Sequence, residues 1–175
     1  MKQYLVVTVM AADRPGIVEQ LAATISRHGG NWLESSMSQL AGQFAGILSV
    51  DISAADDAAL REALAALASQ GIRVQIEASG TAATAAGEHT HISLVANDRP
   101  GIVGEITQAL ANAQVNVVSL ETYCDNAPMS AELLFHALIE VAMPAGMQEE
   151  HLLDVLEALS SDLMVEIGDL DDLFE

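Results

Sequence analysis

The sequence predicts an α+β protein made of two tandem copies of one unit, each a four-stranded antiparallel sheet with two helices on one face. Two observations support this prediction. The hexapeptide Asp13-Arg14-Pro15-Gly16-Ile17-Val18 recurs unchanged 85 positions later, at residues 98–103. The hydrophobic pattern also alternates between strand and helix periods in the same order in both halves of the chain. A duplication of about 80 residues per copy explains both observations.

Each predicted element follows from its hydrophobic period. Strands alternate apolar and polar residues, whereas helices repeat apolar residues every three or four positions. In the first copy the predicted elements are a strand at 4–11, a helix from the hexapeptide to Gly29-Gly30, strands at 32–40 and 43–52, a helix at 56–69 and a strand at 72–77. In the second copy they are a strand at 90–96, a helix after the hexapeptide, strands at 117–124 and 132–142, a helix through Leu152, Leu156 and Leu159, and a strand at 163–167.

The order βαββαβ, found twice, predicts a ferredoxin-like arrangement in which two βαβ halves interleave into one sheet. The predicted domains are residues 1–79 and 89–175, the second with an acidic tail, and residues 80–88 form a linker rich in Ala, Thr and Gly. Both helices cover the same face of each sheet, so the other face and the sheet edges stay exposed. Exposed edges favour self-association, and we expect a homodimer.

Charge limits the possible partners. The chain has 25 acidic and 6 basic side chains, a net charge of −19, and no Lys or Arg after Arg99. Such a field repels phosphate groups, so we predict no direct contact with nucleic acid. It favours a basic protein partner, although acidity that serves only solubility is an open alternative.

Two further features bear on location. No apolar run approaches the roughly 20 residues that a membrane helix needs, so no membrane contact is predicted. The single cysteine, Cys124, excludes an internal disulfide and suits a reducing cytoplasm. As a strand residue, we expect Cys124 to be a small apolar packing residue.

The hexapeptide has the chemistry of a helix start. Asp13 and Asp98 are expected to be N-caps, and Gly16 and Gly101 leave the first turn open to a ligand. Helix N-termini attract anions, and an aspartate attracts an ammonium group, so the loop suits a free amino acid. A merely well-capped helix start is the alternative, which the second identical copy weakens.

The repeated unit with its Asp-Arg-Pro-Gly loop resembles the ACT domain, a module that usually senses amino acids. In that family ligands commonly lie between two domains, against this loop and against the start of the second strand. An Asn is a frequent contact at that second position, where this chain has Asn31 and Asn116. The predicted ligand-binding residues are Asp13, Arg14, Gly16, Asn31, Asn97, Asp98, Arg99, Gly101 and Asn116.

A narrower resemblance comes from the second hairpin. Residues 127–130, 134–135 and 141–144 resemble those of the glycine cleavage system transcriptional repressor group. Those tandem proteins have no catalytic domain. The resemblance implies a regulator that binds a transcription activator and releases it when glycine is present.

Other chemistry is disfavoured. His89 and His91 share a strand face but lack a third ligand at a useful spacing, so no metal site is predicted. No nucleophile, base and orienting group fall together, so we expect neither catalysis nor a cofactor. The open alternatives to a sensor are an acidic adaptor that binds a basic partner without sensing and, ranked last, an enzyme.

Overall fold

The computed structural model describes residues 1–80, 87–128, 132–171 and 173. The chain divides into two compact units, Met1–Ala83 and Thr84–Glu175. The first unit contains β1 (Lys2–Ala12), α1 (Ile17–Arg27), β2 (Asn31–Leu40), β3 (Gln43–Ser53), α2 (Asp57–Ala66), a 3₁₀ turn (Leu67–Gln70) and β4 (Arg73–Ser79). The second contains β5 (Glu88–Asn97), α3 (Ile102–Asn112), β6 (Asn116–Asn126), β7 (Leu133–Met143), α4 (Glu149–Glu157) and β8 (Met164–Gly168).

The predicted fold class is confirmed. The sheets have the strand orders β2-β3-β1-β4 and β6-β7-β5-β8, and their strand pairs are antiparallel. The hairpin between β2 and β3 turns at Ala41 and Gly42, whose φ angles are 49° and 79°. These left-handed angles match the twist of the strands that they join. The βαββαβ order therefore produces two ferredoxin-like units.

Each core lies between the sheet and its two helices. In the first unit Leu5 and Val7 of β1 pack with Leu21 of α1 and Leu64 of α2, and all four are fully buried. The second unit repeats this arrangement with its own buried cluster, drawn from β5, β7, α3 and α4. The strand alternation and the helical stripes seen in the sequence are therefore the core faces, and both described helices of each unit pack on the same face of its sheet.

Element ends differ from the predictions by a few residues. The second helix of the first unit is α-helical only to Ala66 and closes with the 3₁₀ turn, because its last turn tightens around the left-handed Gly71. Within the predicted linker, β5 already begins at Glu88, and residues 81–86 lie outside the described residues. Residues 129–131 of the second hairpin and residues 172, 174 and 175 of the acidic tail also lie outside them. The domain boundaries at 79 and 89 stay predictions.

In the described residues, none of the helices combines the length and the apolar character needed to span a membrane.

Candidate functional site

Each hexapeptide forms the loop between the first strand and the first helix of its unit. Its entrance is held by a backbone hydrogen bond to the neighbouring hairpin. The amide of Asp13 donates to the carbonyl of Gly42 at 2.9 Å, and the amide of Asp98 donates to the carbonyl of Leu133 at 2.9 Å. The two loops therefore start from the same backbone geometry.

Glycine, not aspartate, caps each helix. The N-caps of α1 and α3 are Gly16 and Gly101, with left-handed φ angles of 90° and 91° and no side-chain capping hydrogen bond. The expectation that Asp13 and Asp98 are N-caps is wrong. Each aspartate lies three residues before the cap, because the chain passes through a left-handed residue before the helix begins. Residues with a Cβ rarely adopt that conformation, which explains glycine at both positions.

The start of each helix is open. The amides of Gln20 and Glu105 donate to the carbonyls of Gly16 and Gly101 at 3.0 Å, which are the first helical bonds. Amides ahead of these bonds have no partner within the helix. A Cβ built at Gly16 or Gly101 would meet no described heavy atom within 4 Å. The arrangement suits a small anion such as a carboxylate.

The arginine of the first loop contacts neutral groups. Nη2 of Arg14 donates to Oε1 of Gln20 at 3.3 Å and to the carbonyl oxygen of Gln70 at 3.1 Å. Neither acceptor carries a formal charge, so these two contacts do not neutralise the guanidinium. Arg14 thus offers a positive charge beside the open helix start.

The arginine of the second loop contacts a carboxylate. Nη1 and Nη2 of Arg99 donate to Oε1 and Oε2 of Glu105 at 2.6 and 2.5 Å, a bidentate ion pair. Glu105 holds the position that corresponds to Gln20, six residues after the arginine. The Arg99 hydrogen bond lowers the pKa of the Glu105 carboxyl, and Glu105 in turn raises the pKa of Arg99.

A second carboxylate lies at the same loop. The amide of Asn97 donates to Oδ2 of Asp162 at 3.2 Å. Hydrogen bonds from Ser160 and from this amide, with the charge of Arg99, lower the pKa of Asp162. The backbone donor of Asn97, a predicted ligand-binding residue, is therefore already used inside the protein.

Asp98 lies beside the cysteine. Partial desolvation, followed by the charge and hydrogen bonding of Asp98, raises the pKa of the Cys124 thiol. Cys124 is exposed on β6, so the expectation of a packing residue is wrong. Edge strand β6 is exposed along its whole length, because the two helices cover only the middle of the sheet.

The two predicted asparagines lie far from the loops of their own units. Asn31 pairs with Asp51, which pairs with Tyr4, and Tyr4 lies about 27 Å along β1 from the loop end of that strand. Asn116 pairs with Ala142, which pairs with His89, at the matching end of β5. Because α1 and α3 return the chain to the far end of the sheet, one unit cannot place its own Asn and its own loop on the same small ligand.

The structure also locates the histidines. Nδ1 of His89 lies 2.9 Å from Oε1 of Glu140, and His91 lies on the same sheet face, directly opposite Glu140. Within the described ranges, no three His, Cys, Asp or Glu residues are placed to hold a metal ion.

Sequence reasoning did not identify Gln20, Glu105 and Asp162 as residues that set the charge at the loops. The sequence did contain a signal for Gln20 and Glu105, because these positions, six residues after each arginine, differ in charge between the two copies. For Asp162 no signal existed, since it reaches the loop only through the fold.

Two family models match the chain, and both describe the ACT domain. One covers residues 3–78 and the other covers residues 90–161. Together they span most of both units.

Curated relatives match over short stretches. The ACT domain-containing protein ACR3 of Arabidopsis thaliana is 42% identical over 40 residues, which is 23% of this chain and 9% of the relative. A UPF0237 protein of Methanopyrus kandleri is 43% identical over 51 residues, which is 29% of this chain and 57% of the relative. In both cases the match spans less than two thirds of the relative.

Solved structures match over nearly the whole chain. An unknown protein from Galdieria sulphuraria has a TM-score of 0.84 at 26% identity, over 97% of this chain and 99% of that one. A candidate glycine cleavage system transcriptional repressor has a TM-score of 0.72 at 20% identity, over 96% of this chain and 97% of that one. At 20% identity the second match establishes the fold that the two proteins share.

Proposed function

The chain belongs to the ACT domain family, as two tandem copies, and on this premise we propose that it senses a small amino acid and regulates transcription by protein contact. Glycine is the proposed effector, by analogy with the structural relative described as a candidate glycine cleavage system repressor. The proposed regulator has no catalytic step and no cofactor.

One observation supports the sensing proposal above the others. The first loop combines open helix amides at Gly16, the Arg14 guanidinium with neutral acceptors and the Asp13 carboxyl. An amino acid carboxylate suits the amides and Arg14, and its ammonium suits Asp13. Glycine has no side chain and needs the least space.

The other predicted residues keep proposed roles. In the second loop, Asn97, Asp98, Arg99 and Gly101 would form the equivalent contacts. Asn31 and Asn116 lie at the opposite end of the sheet from the loops of their own units, so the proposal gives them a ligand contact separate from those loops.

The proposed output is contact with a transcription activator. The net charge of −19 argues against direct binding to nucleic acid. A ligand shifts such a contact only if the bound and free forms differ in affinity for the partner. We propose that glycine favours the form with the lower affinity, and that the working species is a homodimer.

Isothermal titration of the full chain with glycine, serine and alanine, each in turn, tests the sensing proposal. We expect saturable heat, and Asp13→Asn should weaken binding by about tenfold or more because it removes a charged hydrogen bond. Asp154→Asn, an exposed acid on α4, is the matched control and should bind normally. Absence of heat and of a melting shift at millimolar amino acid would overturn the proposal.

A second candidate is a non-sensing acidic adaptor for a basic protein. The observation in its favour is that residues 101–175 contain 15 acidic residues and no Lys or Arg. A partner complex that weakens with salt but is indifferent to amino acids would favour the adaptor over the sensor.

A further inference from the structure

The sheet of the second unit has a face that no helix of that unit covers, here called the second open face. It is defined by two neighbouring rows that run across all four strands. The rows are Glu121–Leu138–Ser93–Glu166 and Tyr123–His136–Val95–Met164. Glu121 and Glu166 end one row on the two edge strands, about 14 Å apart between Cα atoms.

The corresponding rows of the first unit form the first open face. They are Ser36–Ile47–Thr8–Gln75 and Ser38–Ala45–Met10–Arg73. Where the first open face has Ser36 and Gln75, the second has Glu121 and Glu166. Where the first has the cation Arg73, the second has Met164. In these rows the same backbone thus presents one permanent cation in the first unit, and two carboxylates without a Lys or Arg in the second.

The second open face is apolar as well as acidic. Tyr123 and Met164 are 61% and 63% exposed. The Tyr123 ring stacks on His136 with a centroid distance of 4.5 Å and an interplanar angle of 2°. Nε2 of His136 also lies 2.9 Å from Oδ1 of Asp125, a third carboxylate beside the row. Tyr123 lies between Glu121 and Asp125 in the sequence of β6, two residues from each, so carboxylates flank the aromatic position on the same strand face.

Charge complementarity identifies the occupant. Since the chain has no Lys or Arg after Arg99, the second unit supplies only Arg99 as a permanent cation, and Glu105 holds it. Carboxylates around an exposed aromatic ring suit a guanidinium or ammonium group, which gains ion pairs and a cation–π contact. Leu138 and Met164 offer surface to the apolar stem of such a side chain.

We propose that the second open face docks an arginine- or lysine-rich segment of a partner protein. This inference rests on the proposed function for the existence of a protein partner, and it places the contact on the sheet face rather than in the amino acid loops. The first open face, which has Ser36 and Gln75 in place of the two glutamates, does not take this segment.

Peptide binding to the full chain tests the inference. The probe is a short fluorescein-labelled peptide of alternating arginine and serine, and its control replaces each arginine with uncharged citrulline. Fluorescence anisotropy should show binding of the arginine peptide, weakening as salt rises, and none of the citrulline peptide. Glu121→Gln with Glu166→Gln should weaken the arginine peptide by about fivefold, the sum expected for two exposed ion pairs.

A matched variant separates docking from the general acidity of the chain. Glu62→Gln with Asp154→Asn also removes two negative charges, but from exposed helix positions. This double variant should leave the peptide affinity unchanged within about twofold. Equal weakening by both double variants would overturn the inference, since only net charge would then matter. Methyl NMR shifts confined to Leu138 and Met164 would support it, whereas shifts at Ile47 and Met10 would assign the peptide to the first open face and overturn it.

Glycine titration of the same double variants keeps the two proposals distinct. We expect the glycine affinity of Glu121→Gln with Glu166→Gln to equal that of the parent chain. If the parent chain does not bind glycine, the sensing proposal is refuted. The peptide experiment then still tests whether the second open face docks a basic segment.

Discussion

The two Asp-Arg-Pro-Gly loops have the same six residues and the same backbone, yet they differ in charge. Arg14 meets the neutral Gln20, while Arg99 is held by both oxygens of Glu105. In the first loop the guanidinium is available to an incoming carboxylate, and in the second a carboxylate of the protein already occupies it. A repeated motif therefore does not imply a repeated site, because a residue six positions away sets the electrostatics.

The same contrast extends beyond the arginine. Asp162 accepts a hydrogen bond from the amide of Asn97 at the second loop, and Asp98 acts on Cys124. Both contacts link the second loop to elements of its own unit. We therefore expect the first loop to bind the effector more tightly than the second.

Substitutions at Gln20 and Glu105, the residues that contact the two arginines, should have the largest effect on glycine affinity. Gln20→Glu places a carboxylate against Arg14 and should weaken glycine binding by about 10- to 100-fold, the value of a charged hydrogen bond. Glu105→Gln frees Arg99 and should preserve glycine binding or add a second site. Isothermal titration gives both affinity and stoichiometry, and thermal melting verifies that the variants fold. Unchanged binding by Gln20→Glu would refute the assignment of the site to the first loop.

Replacing the left-handed cap glycine should lower the stability of both units by the same amount. Gly16→Ala and Gly101→Ala force a Cβ into the left-handed region and should each lower the free energy of unfolding by about 1–2 kcal/mol. Gly104→Ala, at an exposed position in the first turn of α3, is the control, and it should raise that free energy by about 0.5–1 kcal/mol. Urea unfolding measures all three. A cap that tolerates alanine without loss would show that its loop is not held in this conformation.

The smallest expected effect concerns the thiol beside the second loop. Because partial desolvation and, after it, the charge and hydrogen bonding of Asp98 raise the pKa of Cys124, the thiolate forms only at higher pH and alkylation by iodoacetamide should be slow near neutrality. Asp98→Asn removes that charge, so the pH–rate profile should move to lower pH and the rate at fixed pH should rise severalfold. Asp13→Asn, the equivalent change in the first unit, should leave the profile in place. Superimposable profiles for the parent chain and Asp98→Asn would contradict the contact.

Much of the fold could be predicted from the chain because it depends on local patterns. Leu5, Val7 and Val9 alternate along β1, and Ile17, Leu21 and Ile25 recur at helical spacing in α1. Such periods specify which face is buried, whatever the element packs against. The narrower features were less predictable. A cap at Asp13 is reasonable from composition, but the left-handed Gly16 moves the helix start beyond the reach of that side chain.

The amino acid order was sufficient to establish the duplication, the βαββαβ order, the strongly negative charge and the loops as the place to look for a site, since periodicity and composition act over short distances. Only the folded chain decided that Glu105 neutralises Arg99, that Asn31 lies at the opposite end of the sheet from Asp13, and that Glu121 and Glu166 share one row. Those facts depend on strand register and on side chains that are distant in sequence, and pairing across a sheet is a property of the whole unit rather than of any segment.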